Sequence, residues 1–152
     1  MQTNVMKTST LKRTLVLIVS GFLFFACKKE KASDFACPVS AASLSGAYKI
    51  KTLQYRTSAD ATPSDFMSYM DDCVKDNILH LGVDGAYKEE DAGTVCDENQ
   101  AVTGIWQLHG NTLTSEGILN GKIASWDCKS LVYYIENALK PGDRLTYTLE
   151  KQ

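Results

Sequence analysis

From Gly46 to the C-terminus the chain is a succession of short segments in which large apolar side chains recur at every second position, separated by turn-forming residues. The pattern is plainest where Leu145, Tyr147 and Leu149 alternate with Arg144, Thr146, Thr148 and Glu150. Successive side chains of a strand point to opposite faces, so this spacing predicts a strand with one side buried. Similar stretches cover about 46–55, 77–82, 86–91, 102–109, 112–118, 122–127 and 131–137, which with the last make eight. Asp84-Gly85, Gly110-Asn111, Asn120-Gly121 and Pro141-Gly142-Asp143 supply the turns. Links this short join antiparallel neighbours, and eight strands lose their exposed edges by closing on themselves. The expected fold is all-β: an eight-stranded antiparallel up-and-down barrel or half-barrel.

Only residues 57–76 break the pattern. Ser64 is placed to cap a short helix, with Phe66, Met67, Tyr69 and Met70 at spacings of three and four. A turn or two of helix is expected in this first inter-strand loop, which either packs on the barrel rim or serves as a lid.

The N-terminus has a different logic. Lys7, Lys12 and Arg13 precede an apolar run from Leu15 to Ala26, followed by Cys27 and Lys28-Lys29-Glu30-Lys31. The run holds 12 residues, short of the roughly 20 a membrane-spanning helix needs, so it reads as a signal peptide rather than an anchor. Phe24-Phe25-Ala26-Cys27 resembles the lipobox of bacterial lipoproteins, in which a signal peptidase cuts before a cysteine that then carries acyl chains such as palmitate. This gives three regions: a signal peptide over 1–26, a lipidated tether over 27–43 and a β-barrel domain over 44–152. The implied location is the cell envelope, lipid-anchored through Cys27. Lys28, where an inner-membrane retention signal would carry Asp, leans toward the outer membrane, with its face undetermined.

Removing the first 26 residues takes away three of 16 basic residues and none of 18 acidic ones, leaving a net charge of −5. Nucleic acid requires a basic stripe to displace counterions, so it is not an expected partner.

With Cys27 committed to lipid, Cys37, Cys73, Cys96 and Cys128 remain, an even number in an oxidising compartment. A two-residue turn at Asp84-Gly85 would set Cys73 opposite Cys96, provided no bulge intervenes. Barrel polarity agrees. Connections alternate between ends, which puts the loops of Cys73 and Cys96 on one rim and Cys37 and Cys128 at the other. The expected bridges are therefore Cys73 with Cys96 and Cys37 with Cys128. No short C-x-x-C or H-x-x-x-H spacing supports zinc, and no metal or cofactor is expected.

Leu44-Ser45-Gly46-Ala47-Tyr48, Cys73-Val74-Lys75-Asp76-Asn77-Ile78-Leu79, Val83-Asp84-Gly85-Ala86-Tyr87, Cys96 and Gly104-Ile105-Trp106-Gln107-Leu108 together resemble the lipocalin-like domains of small bacterial lipoproteins. The resemblance covers about residues 44–150. It implies a calycin-type barrel or half-barrel and names no ligand.

Alternation turns Tyr48, Ile50, Leu79, Leu81, Tyr87, Trp106, Leu108, Tyr133, Leu145, Tyr147 and Leu149 inward, as pocket lining or as core, and leaves the facing of Trp126 open. A cavity so lined would hold a small apolar or amphipathic molecule, its polar head oriented by tyrosine hydroxyls. Trp106 reads as a plug at one end. The alternative is a filled barrel, an interaction or scaffold module that binds an envelope protein through its rim loops. Asp71, Asp72, Asp76, Glu89, Glu90, Asp91, Asp97 and Glu98 read as a solvated acidic rim, and His80 and His109 as structural. No G-x-S-x-G, H-E-x-x-H or phosphate-binding loop is present, so catalysis is not expected.

Overall fold

Alternating apolar positions produce a nine-stranded antiparallel sheet whose first and eighth-following strands meet and close it. The computed structural model describes residues 37–96 and 102–152, so Cys27, the 1–26 stretch expected from the sequence to be a signal peptide and the 97–101 segment with Asp97 and Glu98 lie outside the described residues. The strands are β1 (Gly46–Arg56), β2 (Ser64–Asp65), β3 (Ile78–Leu81), β4 (Ala86–Glu90), β5 (Thr103–His109), β6 (Thr112–Ser115), β7 (Gly121–Trp126), β8 (Ser130–Glu136) and β9 (Arg144–Lys151). β2 is a two-residue addition to the far end of β1. The other eight form a closed up-and-down barrel. Closure is made by β1 on β9, from Tyr48 opposite Lys151 to Arg56 opposite Arg144.

Up-and-down order gives the barrel two unlike ends. The base carries the short β3–β4, β5–β6 and β7–β8 connections. The mouth carries the long β1–β3 and β4–β5 loops and the β6–β7 and β8–β9 connections.

A short helix α1 (Ala41–Leu44) sits at the base, across the boundary at 43/44 that the sequence reading set between tether and barrel. It forms because Ser40 caps it: its hydroxyl accepts from the Ser43 amide while the Ser43 hydroxyl accepts from the Ser40 amide. The turn then buries Leu44 completely, and the Tyr48 hydroxyl donates to the Leu44 carbonyl at 2.6 Å. Gly46 follows at φ +150°, where a Cβ would strike the Lys151 side chain. Lys151 in turn donates to the Ser43 carbonyl at 3.0 Å and lies 5.6 Å over the Trp126 ring. Trp106 closes the same end, its indole N–H donating 2.8 Å to the Gly82 carbonyl.

One hydrophobic core fills the barrel. Tyr48, Ile50, Leu79, Leu81, Tyr87, Trp106, Tyr133 and Leu149 are buried in it, with Leu108 and Tyr147 packed half-buried against them; Leu145 is buried near the mouth. Strict alternation misses Leu53 and leaves Trp126 undecided, and a bulge explains each. In β1 the register against β9 slips between Ile50 and Thr52, so Leu53 turns inward three residues after Ile50. In β7 it slips between Ile123 and Ser125, which turns Trp126 inward to full burial.

The first loop differs from expectation. Ser64 caps no helix, because its hydroxyl donates instead to the Tyr55 carbonyl at 3.2 Å and its backbone extends β1's sheet as β2. A 3₁₀ turn follows at Met67–Tyr69, and helix α2 (Asp72–Lys75) begins only after it.

Both expected disulfides form, with Cα atoms 5.4 Å apart for Cys37–Cys128 and 5.3 Å for Cys73–Cys96. One bridge ties the base and the other the mouth, as barrel polarity requires. The β3–β4 hairpin differs from the two-residue turn expected at Asp84-Gly85. β3 and β4 pair with Ile78 opposite Glu90 and Leu81 opposite Tyr87, one residue out from the register that a two-residue turn would set. Gly82 donates to the Ala86 carbonyl around a three-residue connection in which Gly85 takes φ +87°. Cys73 stands in α2, within the first loop as barrel polarity requires, and its bridge pins that helix to Cys96 in the β4–β5 loop.

Candidate functional site: the barrel mouth

Polar chemistry inside the barrel is concentrated at the mouth. On β4, Tyr87 and Glu89 point inward, two residues apart on one face. The Tyr87 hydroxyl donates to Glu89 Oε2 at 3.2 Å, and Asn77 Nδ2, from just before β3, donates to Glu89 Oε1 at 3.3 Å. Gly117 in the β6–β7 connection leaves space for the Tyr87 ring tip, because a Cβ there would overlap the phenol. Across the barrel, Tyr133 of β8 lies opposite Tyr147 of β9, and their rings stack at 4.8 Å.

Not all of these groups are satisfied. Among the described residues the Tyr133 hydroxyl has no partner although the residue is 0 % exposed, and Asn77 Oδ1 has none at 9 % exposure. Burial, first, and then the neighbouring Tyr147, Tyr87 and Glu89 groups hold the Tyr133 proton on far above the ordinary tyrosine range. The same neighbours show that these side chains face a common interior. Met67 and Met70 of the first loop pack against the core from this end.

The rim is acidic and apolar together. Asp76 Oδ2 accepts from the Thr94 amide at 2.9 Å, and Asp91 Oδ2 accepts from the Cys96 amide at 3.1 Å. These bonds hold residues 94–96 against the Cys73–Cys96 bridge. Asp72 pairs with Lys75 at 2.7 Å, whereas Asp71 carries no capping bond. Among the described residues no three metal-binding side chains converge. Exposed apolar residues accompany the acids: Tyr69 at 77 % exposure in the first loop, Val95 and Val102 in the second, and Leu139 in the β8–β9 turn.

Asp143 builds that last turn. It is buried and accepts from the Leu139 and Lys140 amides at 3.1 and 2.9 Å and from the Tyr55 hydroxyl at 2.9 Å. Burial pushes its carboxyl up, but these hydrogen bonds, led by Tyr55, outweigh burial and hold it below the ordinary value. Asn137 and Gly142 take positive φ on either side.

Two clefts lined by described residues lie outside this interior cluster. One of about 300 Å³ runs between Arg56, Ser58, Glu136 and Asp143 at the outer rim, and one of about 380 Å³ lies over Thr112, Lys122 and Tyr134. The histidines face outward: His80 lies 3.2 Å from Glu90, which also pairs with Lys88, and His109 lies 3.3 Å from Gln107. Glu89, expected from the sequence as one more rim acid, instead turns inward. Its place two residues after Tyr87 on an alternating strand was the signal that it turns inward.

The fold and site define the class as a disulfide-bridged, closed eight-stranded antiparallel barrel with a filled interior and a polar mouth. No protein-family model matches the chain, and neither a curated protein nor a solved structure is similar to it.

Proposed function

We propose that this chain is a lipid-anchored, lipocalin-like module of a bacterial cell envelope that binds a protein partner through the mouth of its barrel, with no catalytic role. The observation that carries the reading is the filled interior: Tyr48, Tyr87, Tyr133 and Trp126 occupy the space in which an open barrel would hold cargo. What is left for recognition is the disulfide-locked rim, where Tyr69, Val95, Val102 and Leu139 stand exposed among acids. Anchorage at Cys27 and residence at the outer membrane complete the proposal. Photo-crosslinking groups placed at Tyr69 or Leu139 in living cells should each trap the same discrete protein, and one placed at Val83 on the base should not. Equal yields at all three positions, or none at any, would overturn the rim reading. Palmitate labelling that disappears in Cys27→Ala tests the anchor separately.

One observation favours a second reading, in which a small amphipathic molecule is held at the mouth. A buried tyrosine hydroxyl without a partner is costly, and a ligand group is one way to satisfy it.

A further inference from the structure

Charge is unevenly placed on this protein. Among the described residues the mouth connections, 57–77, 91–102, 116–120 and 137–143, carry eight carboxylates and two lysines, whereas the strands and base connections carry six carboxylates and eight basic side chains. The mouth is therefore the negative end of a barrel whose wall and base are net positive. One of its two lysines, Lys75, is already held by Asp72 at 2.7 Å.

Tyr69 stands at this end with its ring held in place. It lies 4.9 Å from the Phe66 ring, which lies 5.3 Å from Tyr55, whose hydroxyl donates to the buried Asp143. At 77 % exposure, most of Tyr69 is open to solvent. Met70, the next residue, has extended backbone at φ −86° and ψ 142° and packs against the core, which turns both of its neighbours outward. Tyr69 and Asp71 thus face solvent on the same side of the chain. Among the described residues Asp71 makes no capping bond and no ion pair.

An open aromatic face beside a free carboxylate suits a planar cation, because a guanidinium stacks on the ring while its donors reach the carboxylate. An acidic segment or an anionic bilayer is repelled by the whole negative end. A neutral apolar segment would cover Tyr69 and strip water from carboxylates that it cannot pair.

We propose that the partner at the barrel mouth is a basic protein segment, and that Tyr69 and Asp71 receive one of its arginine side chains. The inference rests on the rim reading given above and names the chemistry of the partner.

Isothermal titration of the full chain with C-terminally amidated tetra-arginine, tetra-lysine, tetra-glutamate and tetra-citrulline, the last a neutral isostere of the first, tests it. Tetra-arginine should bind, more tightly than tetra-lysine and less tightly as salt is raised, and the other two should not. Tyr69→Ala should weaken tetra-arginine by about threefold or more and Asp71→Asn by about twofold, while Tyr69→Phe, which keeps the aromatic face, should bind as the wild-type protein does. Far-ultraviolet circular dichroism should be unchanged in all three variants. Binding of tetra-citrulline or tetra-lysine as tight as that of tetra-arginine, or a tetra-arginine affinity unmoved by Tyr69→Ala, overturns the arginine site. If a crosslinker at Leu139 traps a partner and tetra-arginine does not bind, the rim reading stands and the arginine inference falls. If tetra-arginine binds as described and crosslinking traps nothing, the arginine site stands and the rim partner in the envelope falls.

Discussion

Tyr133 and Leu44 are opposite cases of burial. Leu44 is wholly apolar and wholly enclosed, so Leu44→Ala should cost about 2–5 kcal/mol, through lost transfer energy and the cavity left at the base. Tyr133 buries a hydroxyl that no described residue satisfies, and Tyr133→Phe removes the unpaired group while keeping the ring stack on Tyr147. Urea unfolding should therefore find Tyr133→Phe at least as stable as the wild-type protein, by up to about 1–2 kcal/mol. A loss of similar size would mean that the hydroxyl is already paired. Asp143 gives a pH signature. Its folded pKa is lowered, so the stability it contributes is complete above the ordinary carboxylate value of about 4 and is lost as pH falls through the folded value. Acid titration of the melting temperature should show a shallower low-pH limb in Asp143→Asn than in the wild-type protein. At this scale the sequence was legible wherever alternation ran unbroken: Tyr48, Leu79, Tyr87 and Leu149 all point inward as expected. Leu53 and Trp126 were not, because a bulge reverses facing and leaves no residue-type mark. The partners of Glu89, Tyr87 and Asn77 rather than Lys88 or His80, were also hidden, since they depend on which way each side chain points.

The short α1 helix and the Cys37–Cys128 bridge act as one device at the base. The helix supplies the apolar plug, and the bridge holds its leading end to the β7–β8 turn, reinforced by the Cys37 amide donating to the Trp126 carbonyl at 3.2 Å. Loop-closure entropy for a separation of 91 residues puts the loss on replacing both cysteines with serine at about 4–5 kcal/mol. The Cys73–Cys96 loop, at 23 residues, should cost about 3 kcal/mol on the same treatment. Thermal melts of the two double variants should therefore rank the base bridge above the mouth bridge. The strand boundaries were legible because turn residues mark them. The β3–β4 connection was misjudged by one residue because Asp84-Gly85 suits a three-residue loop as well as a two-residue one, and only hydrogen bonding to Ala86 settles which. The first-loop helix was displaced for a similar reason: Ser64 has a better partner in the Tyr55 carbonyl than in a helix amide.

Across the whole molecule, β9 is the keystone, pairing with β8 along its length and with β1 to close the cylinder. A chain ending at Glu136 loses both ladders and exposes two edges at once. It should show no cooperative thermal transition by circular dichroism, and a retained sharp melt would contradict closure as the source of cooperativity. Closure by first and last strands is also the most non-local pairing available to the chain, which places refolding in the slow, millisecond-to-second regime of β-rich folds. The disulfide at the base adds a mechanical property. A pull applied to any residue before Cys37 passes through sulfur to Cys128 and loads the β7–β8 turn, bypassing α1 and β1 entirely. The plug thus bears no load while the bridge is intact, and drag on the molecule's leading end cannot uncork the barrel. Reduction reroutes the same force through Ser40 and Leu44, so the protein's resistance to extension is set by the redox state of a single bond.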